Sequence, residues 1–518
     1  MKSNKYVCLL LGATMMLSAT SCNKDKFLDV NISPNSPTAV TLPVLLTGII
    51  ATTGFMATND YGRATSLITQ QYAGINNQPA SYDVYVLRGS FDNQWNFELY
   101  GGSLINSKLL IDQATTQGSP AYAGIGKLLK AYNFAVATDL YGDIPYSQAL
   151  QGTTNSHPRY DKQQDIYKGN SSLGIQGLID LVKEGLADLD KTSTIKPGTA
   201  DDLVYGKASN NIAQWKKMGN TLLLKLANTI SVKEPALAAS IINQAAAGAF
   251  TSNADDFEVP FGAAVGNTNP LYNYNFVTRP DDQMLSQTIL DVMNKQNDPR
   301  LPIYFTTTQA ITATANTTGT VTKFGTFTGY ANGSNAPVPA RVPVPANTAL
   351  TNRSRYNTFV RGVAGEAPAR LLTNAQRLFI LAESALNLTG ITVAGTAQSF
   401  YQDAITASMT KAGVSTTDIA AYFAANPQVA TLSSDKQTAL QQIITQKWIA
   451  SIGNGLEPYN DARRTNALPL APVINASGDD NKFPQNFPYP LSELSANAGA
   501  ENQNAARRTS ETVWWATK

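Results

Sequence analysis

Apolar residues recur at steps of three and four along most of this chain, the spacing that places side chains on one face of an α-helix. The clearest stripes are formed by Ile175, Leu178, Ile179, Val182, Leu186 and Leu189 and by Trp215, Met218, Leu222, Leu226 and Ile230. Two further stripes end at Gly390 and Gly453, residues suited to a helix C-cap. Strand-like alternation is sparse, so the sequence predicts a mainly α fold with these stripes in the core.

The N-terminus has the pattern of a secretion signal that ends in a cysteine. Lys2 and Lys5 precede an apolar run too short to span a bilayer, and small residues lead to Cys22. We therefore predict that residues 1–21 are a lipoprotein signal peptide and that the mature chain begins at a lipidated Cys22. The alternative is an ordinary signal peptide with a cysteine near its cleavage site.

The rest of the chain is predicted to form an extended tether followed by one domain. Residues 22–42 contain Pro34 and Pro37 and no helical period. Residues 43–518 carry the helical stripes, interrupted near 310–345 by a long excursion rich in Thr, Asn, Gly and Pro. No later run of about 18 nearly uninterrupted apolar residues is evident, so we expect a body that is anchored to the membrane without spanning it.

Composition excludes several classes of protein. The formal net charge is +2 and charged residues make up 15% of the chain, below the roughly 25% of an average soluble protein, so an electrostatic nucleic-acid footprint is not expected. Asn, Gln, Ser and Thr supply the polarity, which suits a neutral hydrogen-bonding ligand such as a sugar. The only cysteines are Cys8 and Cys22, so the body is expected to fold without disulfides.

The chain also lacks the residues of most catalytic and metal sites. His157, in a Pro-containing loop, is the only histidine, and no cysteine remains outside the leader and anchor. This excludes the usual histidine triads and His/Cys metal clusters, and no strand-linked phosphate loop is evident. We therefore expect no catalytic residue, metal or cofactor. A glycosidase that uses one carboxylate pair stays open, because it needs only two acidic residues.

Several motifs carry a resemblance to a known family. The run Asp-Leu-Tyr-Gly-Asp-Ile-Pro-Tyr at 139–146 closely resembles the signature of SusD/RagB-type nutrient-binding outer-membrane lipoproteins. Other segments are similar to family landmarks and follow in the same order: Phe27–Asn31, Asn35–Thr38, Gln214–Lys225, Asn297–Pro302, Ala382–Ala385, Gln446–Ala450, Asn460–Thr465 and Phe487–Pro490. The resemblance spans almost the whole mature chain, although the Thr/Asn-rich excursion has no counterpart.

This resemblance implies a SusD-like fold of tetratricopeptide-like helix pairs with long irregular loop insertions. It also implies a partner, a SusC-like TonB-dependent outer-membrane transporter, and a lipid-anchored, cell-surface protein that captures a glycan or sometimes a peptide for import. The alternatives are a carbohydrate-active lipoprotein enzyme and a helical-repeat adaptor that binds protein alone. The motifs themselves are expected to maintain the fold, with Asp139, Asp143 and the Asp461–Arg464 group in structural contacts.

Two loop segments have the residues that sugar recognition requires. Aromatic faces pack against pyranose rings, and nearby amides, carboxylates or Arg bind the hydroxyls. Residues 76–95 and 269–276 combine aromatics with Asn, Gln and Arg without a helical period. If the two loops converge, the ligand-binding candidates are Tyr82, Tyr85, Arg88, Tyr272 and Tyr274. The competing interpretation is that these aromatics fix irregular backbone to the helical body. Trp95 is expected in the core.

Overall fold

A computed structural model describes residues 40–307, 312–314, 320–322, 327–334 and 353–516. The predicted signal peptide, Cys22 and most of the tether lie outside the described residues, as does most of the excursion near 310–345. The predictions made for these segments therefore stay predictions.

Helices dominate the described chain, as the apolar stripes predict. Two π-helical segments, Gln94–Leu104 and Asn273–Thr278, accompany the α-helices. The α-helices are α1 (Leu42–Thr58), α2 (Asp60–Ile68), α3 (Asn77–Asp83), α4 (Ile105–Thr116), α5 (Pro120–Tyr141), α6 (Gln163–Lys168), α7 (Leu178–Leu189), α8 (Asn211–Ile230), α9 (Pro235–Ala245), α10 (Pro270–Tyr272), α11 (Gln287–Lys295), α12 (Leu301–Tyr304), α13 (Thr358–Arg361), α14 (Asn374–Asn387), α15 (Ala397–Lys411), α16 (Thr416–Ala425), α17 (Pro427–Ala430), α18 (Lys436–Ala450), α19 (Leu456–Thr465) and α20 (Leu491–Ala496).

The strands are short and occur in antiparallel pairs. They are β1 (Tyr72–Gly74), β2 (Ile144–Pro145), β3 (Tyr160–Asp161), β4 (Phe257–Val259), β5 (Gln283–Leu285), β6 (Thr312–Thr314), β7 (Thr320–Thr322) and β8 (Ala369–Leu372). The pairs are β1 with β5, β2 with β3, β4 with β8 and β6 with β7. In the first pair Tyr72 lies opposite Leu285 and Gly74 opposite Gln283. This pair joins residues that flank the two segments predicted to bind ligand.

The predicted stripes form the core. Trp215, Met218, Leu222, Leu226 and Ile230 are all buried on α8. The helix boundaries differ slightly from expectation, because Ile175 precedes α7, and Gly390 and Gly453 follow the last residues of α14 and α18 by a short turn. Trp95 is buried at the start of the first π-helix, as predicted.

Successive helices pack against one another along the chain. α5 packs on α4 and α7, α8 packs on α7 and α9, and α14 packs on α15 and α18. α5 and α7 approach each other closely, because a Cβ on Gly124 would lie 2.7 Å from the carbonyl oxygen of Gly185. A contact between α8 and α14 joins the two groups of helices.

The first helices also meet the length and composition of a membrane span, a feature that sequence inspection missed. The stretch Leu42–Ile68 is long and apolar enough to cross a bilayer, but 61% of its apolar 18-residue window is buried inside the protein. Leu46, Ile49, Ile50 and Ile68 have no exposed surface. Such burial is typical of the core helices of a soluble domain.

The motifs that carry the family resemblance converge on a buried ion network. Lys225 of α8 lies 3.2 Å from Asp139 of α5 and 3.2 Å from Glu457 of α19. Burial lowers the pKa of Lys225, but the two carboxylates outweigh it and hold the pKa above its ordinary value. Trp515 Nε1 donates to Asp139 Oδ1 at 3.1 Å. The C-terminal segment is thus hydrogen-bonded directly to this network.

A second part of the network connects α14, α18 and α19. Asp461 accepts from Lys447 at 2.9 Å and from Arg464 at 2.8 Å, and Arg464 also pairs with Glu383. Burial raises the pKa of Asp461, but the two cations lower it below its ordinary value. Asp143 accepts from the backbone N–H of Gln163 at 2.8 Å. The structural role predicted for these motif residues is therefore confirmed.

Candidate functional site

Two of the five predicted binding residues belong to the core. Tyr82 has no exposed surface, and its ring stacks on Phe91 with centroids 5.4 Å apart. Tyr85 is 7% exposed and packs edge-on against Phe483, beside a surface hollow of about 300 Å³. Tyr82 therefore has no free face for a pyranose, and the five-residue platform is not assembled. The sequence predicts a loop for residues 76–95. In the structure Tyr82 lies on α3, which packs against α2, and its side chain is buried.

Arg88 is half exposed and already has an ionic partner. Its Nη2 donates to Asp479 Oδ2 at 2.7 Å and to the carbonyl oxygen of Arg507 at 2.9 Å. Arg88 thus connects its loop to the C-terminal part of the chain and does not line the depression formed by the second predicted segment.

Tyr272 and Tyr274 line one open depression, which we call the aromatic cleft. Its volume is about 390 Å³, and Phe55, Thr268 and Val277 also line it. Asn269 caps α10 by accepting from Leu271 N at 2.8 Å, and the following π-helical turn carries Tyr274. The cleft thus has the size and the aromatic lining of a small-ligand site.

Hydrogen bonds connect the start of the first predicted segment to residues that follow the second. Ile75 N donates to the carbonyl oxygen of Asp282 at 2.8 Å, and Asn77 Nδ2 donates to Asp282 Oδ1 at 2.7 Å. The pairing of β1 with β5 therefore connects the start of the first segment to the chain that follows the second, and only the second segment places aromatics in the cleft.

A buried polar cluster lies against Tyr274. The guanidinium of Arg63 lies 3.9 Å from the Tyr274 ring centroid and pairs with Asp60 of the same helix, α2. Gln94 Nε2 donates to Asp60 Oδ2 at 2.8 Å, and Asn59 Nδ2 donates to Glu98 Oε1 at 2.6 Å. We call these residues, Asn59, Asp60, Arg63, Gln94 and Glu98, the polar cluster. Arg63 supports the Tyr274 ring in a fixed position.

The polar cluster has unused hydrogen-bonding capacity. Within the described chain, Asn59 Oδ1, Arg63 Nε and Glu98 Oε2 are buried and have no hydrogen-bond partner. Burial raises the pKa of Glu98 to about 7, against the opposing effect of the Asn59 hydrogen bond. Burial also raises the pKa of Asp60, although Arg63 lowers it. Unpaired buried polar atoms are rare in proteins and mark places where a ligand or water completes the bonding.

Sequence reasoning missed Phe55, Arg63 and Glu98. Phe55 lies on α1 among apolar residues that are mostly buried, yet Phe55 is 39% exposed at the cleft. Arg63 and Glu98 are distant in sequence from Tyr274, and only the packing of α2 against its neighbours brings them there. No group of three or more His, Cys, Asp or Glu residues able to hold a metal ion occurs among the described residues.

The described fold and cleft define a mainly α protein in which an aromatic depression opens beside buried, partly unpaired polar groups. A family model described as "SusD-like_2: Starch-binding associating with outer membrane" matches residues 34–490. The chain therefore belongs to this SusD-like family, as the sequence motifs predicted. A search of curated proteins found no match.

Solved structures share this fold over nearly the whole chain. A chitin-binding protein aligns with a TM-score of 0.74 and 23% identity, covering 91% of this chain and all of its own. A SusD homolog from Bacteroides uniformis aligns with a TM-score of 0.71 and 22% identity over 92% of this chain and 99% of its own. A chitin-binding SusD homolog from Flavobacterium johnsoniae aligns with a TM-score of 0.69 and 22% identity over 91% and 98%. At these identities the comparison establishes the fold.

Proposed function

We propose that this protein is a cell-surface lipoprotein that captures a glycan in the aromatic cleft and delivers it to a SusC-like TonB-dependent transporter. The observation that carries the proposal is the combination of Tyr272 and Tyr274 with the polar cluster. Aromatic rings stack on the apolar faces of sugars, and partly unpaired polar groups beside them bind hydroxyls. The family description, which includes starch binding and outer-membrane association, supports the same function.

Related proteins support a glycan over other ligands. Two of the structures that share the fold are described as chitin-binding. A predicted lipid at Cys22 and an extended tether would hold the domain at the membrane, where a transporter could receive its ligand. Binding and release are all that this role requires of the cleft, so no catalytic group is needed.

The binding test uses soluble protein that starts at Asn23, titrated calorimetrically with neutral and acidic oligosaccharides and with peptides. We expect one glycan class to bind without cleavage, and Tyr274→Ala to weaken binding about tenfold because it removes a stacking face. Phe423→Ala, which removes a partly buried aromatic outside the cleft lining, is the matched control and should bind normally.

The same mixtures are assayed for cleavage products. The enzyme alternative would use Asp60 and Glu98, which Gln94 connects by two hydrogen bonds. If products form and Glu98→Gln abolishes their formation, the protein is a hydrolase and the capture proposal is wrong. Binding of protein ligands alone would favour the adaptor. Co-purification of full-length protein with an outer-membrane transporter, lost in Cys22→Ala, tests the delivery step.

A further inference from the structure

Positive charge is concentrated in one part of a chain that is otherwise nearly neutral. Between Asp298 and Glu366 the sequence contains six cationic residues and no Asp or Glu. The six are Arg300, Lys323, Arg341, Arg353, Arg355 and Arg361. The whole chain has 39 cationic and 37 anionic residues, so this stretch is a local excess and not a reflection of composition.

Two of the four cations of this stretch that the structure describes have no carboxylate partner. Arg300 pairs with Asp298 at 2.6 Å and Arg353 pairs with Asp281 at 3.2 Å. Arg355 and Arg361 form no ion pair within the part of the chain that the structure describes; Lys323 and Arg341 lie outside it. Arg355 donates through Nη1 to the carbonyl oxygen of Asn275 at 2.9 Å. Arg361 donates to the carbonyl oxygens of Tyr356, Gly362 and Val363.

Both unpaired guanidiniums lie beside the aromatic cleft. Each is 4.3 Å from the ring centroid of Phe276. Phe276 stacks on the cleft residue Tyr272 with centroids 5.9 Å apart, and Arg361 is 5.9 Å from the Tyr272 centroid. The half-buried position where the two cations meet Phe276 therefore adjoins the cleft through Tyr272.

This arrangement is unfavourable without a counter-charge. Burial lowers the pKa of Arg355, and the nearby Arg361 lowers it further. Burial likewise lowers the pKa of Arg361, and the nearest acidic side chain, Glu366, accepts hydrogen bonds from the backbone of Val363 and Ala364 without pairing with it. Two like charges at one partly desolvated position repel each other, and an anion placed between them removes that repulsion.

We propose that the cleft binds an anionic glycan, whose carboxylate or sulfate group is held by Arg355 and Arg361 while its sugar rings stack on Tyr272 and Tyr274. Guanidinium groups match the planar fork of a carboxylate and the oxygens of a sulfate, and charge-assisted hydrogen bonds are stronger than neutral ones. This inference rests on the proposed function and narrows its ligand class. It differs from the neutral ligand that overall composition suggests.

The experiment compares ligands that differ only in charge. Oligogalacturonides are titrated against their methyl esters, and κ-carrageenan oligosaccharides against their desulfated forms, so that the two arms separate carboxylate from sulfate. We expect the anionic member of at least one pair to bind about tenfold more tightly. We also expect this preference to decline as salt is raised, because ions screen exposed charges.

Arg355→Gln is the diagnostic variant, because its guanidinium makes a single backbone hydrogen bond. This variant should bind the anionic oligosaccharide about tenfold more weakly and bind the neutral one within about twofold of the wild-type affinity. Arg353→Gln, which removes an equal charge from an existing ion pair in the same segment, is the matched control and should retain the preference. Thermal unfolding of both variants verifies that they fold.

The outcomes separate this inference from the function on which it rests. Equal binding of the charged and neutral members in both arms, or a charge preference that Arg355→Gln does not change, overturns the anionic assignment. If a neutral glycan still binds and Tyr274→Ala weakens that binding, the proposed glycan capture is supported although the anionic assignment is wrong. If no glycan of either charge binds, both proposals are overturned.

Discussion

At the scale of single residues, burial and hydrogen bonding oppose each other at Glu98. Asn59 and Gln94 donate to Oε1, whereas Oε2 is buried without a partner among the described residues. Burial therefore raises the pKa of Glu98 to about 7. An acid with a raised pKa in the folded state binds a proton that the unfolded state has already released, so its contribution to stability is lost as the pH rises from about 4.5 to about 7.

Glu98→Gln should consequently stabilise the protein under mildly alkaline conditions. Glutamine keeps the accepting Oε1 and removes the buried charge, so we expect a gain of roughly 1–3 kcal/mol at about pH 8. At about pH 5 the wild-type carboxyl is protonated, and the two proteins should have nearly equal free energies of unfolding. Urea denaturation at both pH values measures this. A variant that is less stable at the higher pH would contradict the argument.

At the scale of elements, turns decide where long helices end. Helix α5 ends at Tyr141 because Gly142 adopts φ +78°, a left-handed conformation that favours glycine. A Cβ on Gly142 would also collide with the Arg507 guanidinium, so a side chain there requires Arg507 to move. Arg507 Nη1 itself donates to the carbonyl oxygen of Tyr141 at 2.6 Å. One glycine therefore ends the helix and admits the arginine that caps it.

Gly142→Ala should destabilise the protein more than the strained backbone alone requires. We expect the free energy of unfolding to fall by about 2–4 kcal/mol, because alanine is unfavourable at this φ and its methyl group displaces Arg507. Gly174→Ala is the matched control, since Gly174 has φ +67° with open space around its Cβ position. It should cost about 1 kcal/mol. Thermal or urea unfolding compares the two, and equal losses would show that the Arg507 contact has no energetic role.

At the scale of the whole molecule, the buried ion network connects elements that are far apart in sequence. Lys225 lies between Asp139 and Glu457, while Trp515 reaches Asp139 from the C-terminus. Each charge of such a network offsets the cost of burying its partners, and removing one partner destabilises the fold by about 3–5 kcal/mol.

Lys225→Met should therefore destabilise the domain by about 3–5 kcal/mol, since it leaves two buried carboxylates uncompensated. Lys216→Met is the control on the same helix. Lys216 pairs with Asp190 at an exposed position, so its loss should cost about 0–1 kcal/mol. Chemical denaturation monitored by tryptophan fluorescence distinguishes the two. Similar losses from both substitutions would contradict a cooperative network.

The extent to which sequence anticipated the site differs among its residues. The alternation of aromatics with Asn, on a segment without helical period, predicted Tyr272 and Tyr274 as binding candidates, and both line the cleft. Tyr82 has the same local signal, yet it is buried against Phe91. The sequence contains the charge excess around Arg355, but it does not show which of these charges are paired. The structure shows that Arg300 and Arg353 have carboxylate partners, whereas Arg355 and Arg361 have none among the described residues.

The sequence by itself determined the helical class, the positions of the core stripes and the family, because these depend on local periodicity and on contiguous motifs. Only the tertiary structure decided which aromatics face solvent and which charges are compensated. Pairing of β1 with β5 joins residues that flank the two loops, and the packing of α2 brings Arg63 against the Tyr274 ring. Exposure and charge pairing arise from contacts between residues distant along the chain, so no local pattern contains them.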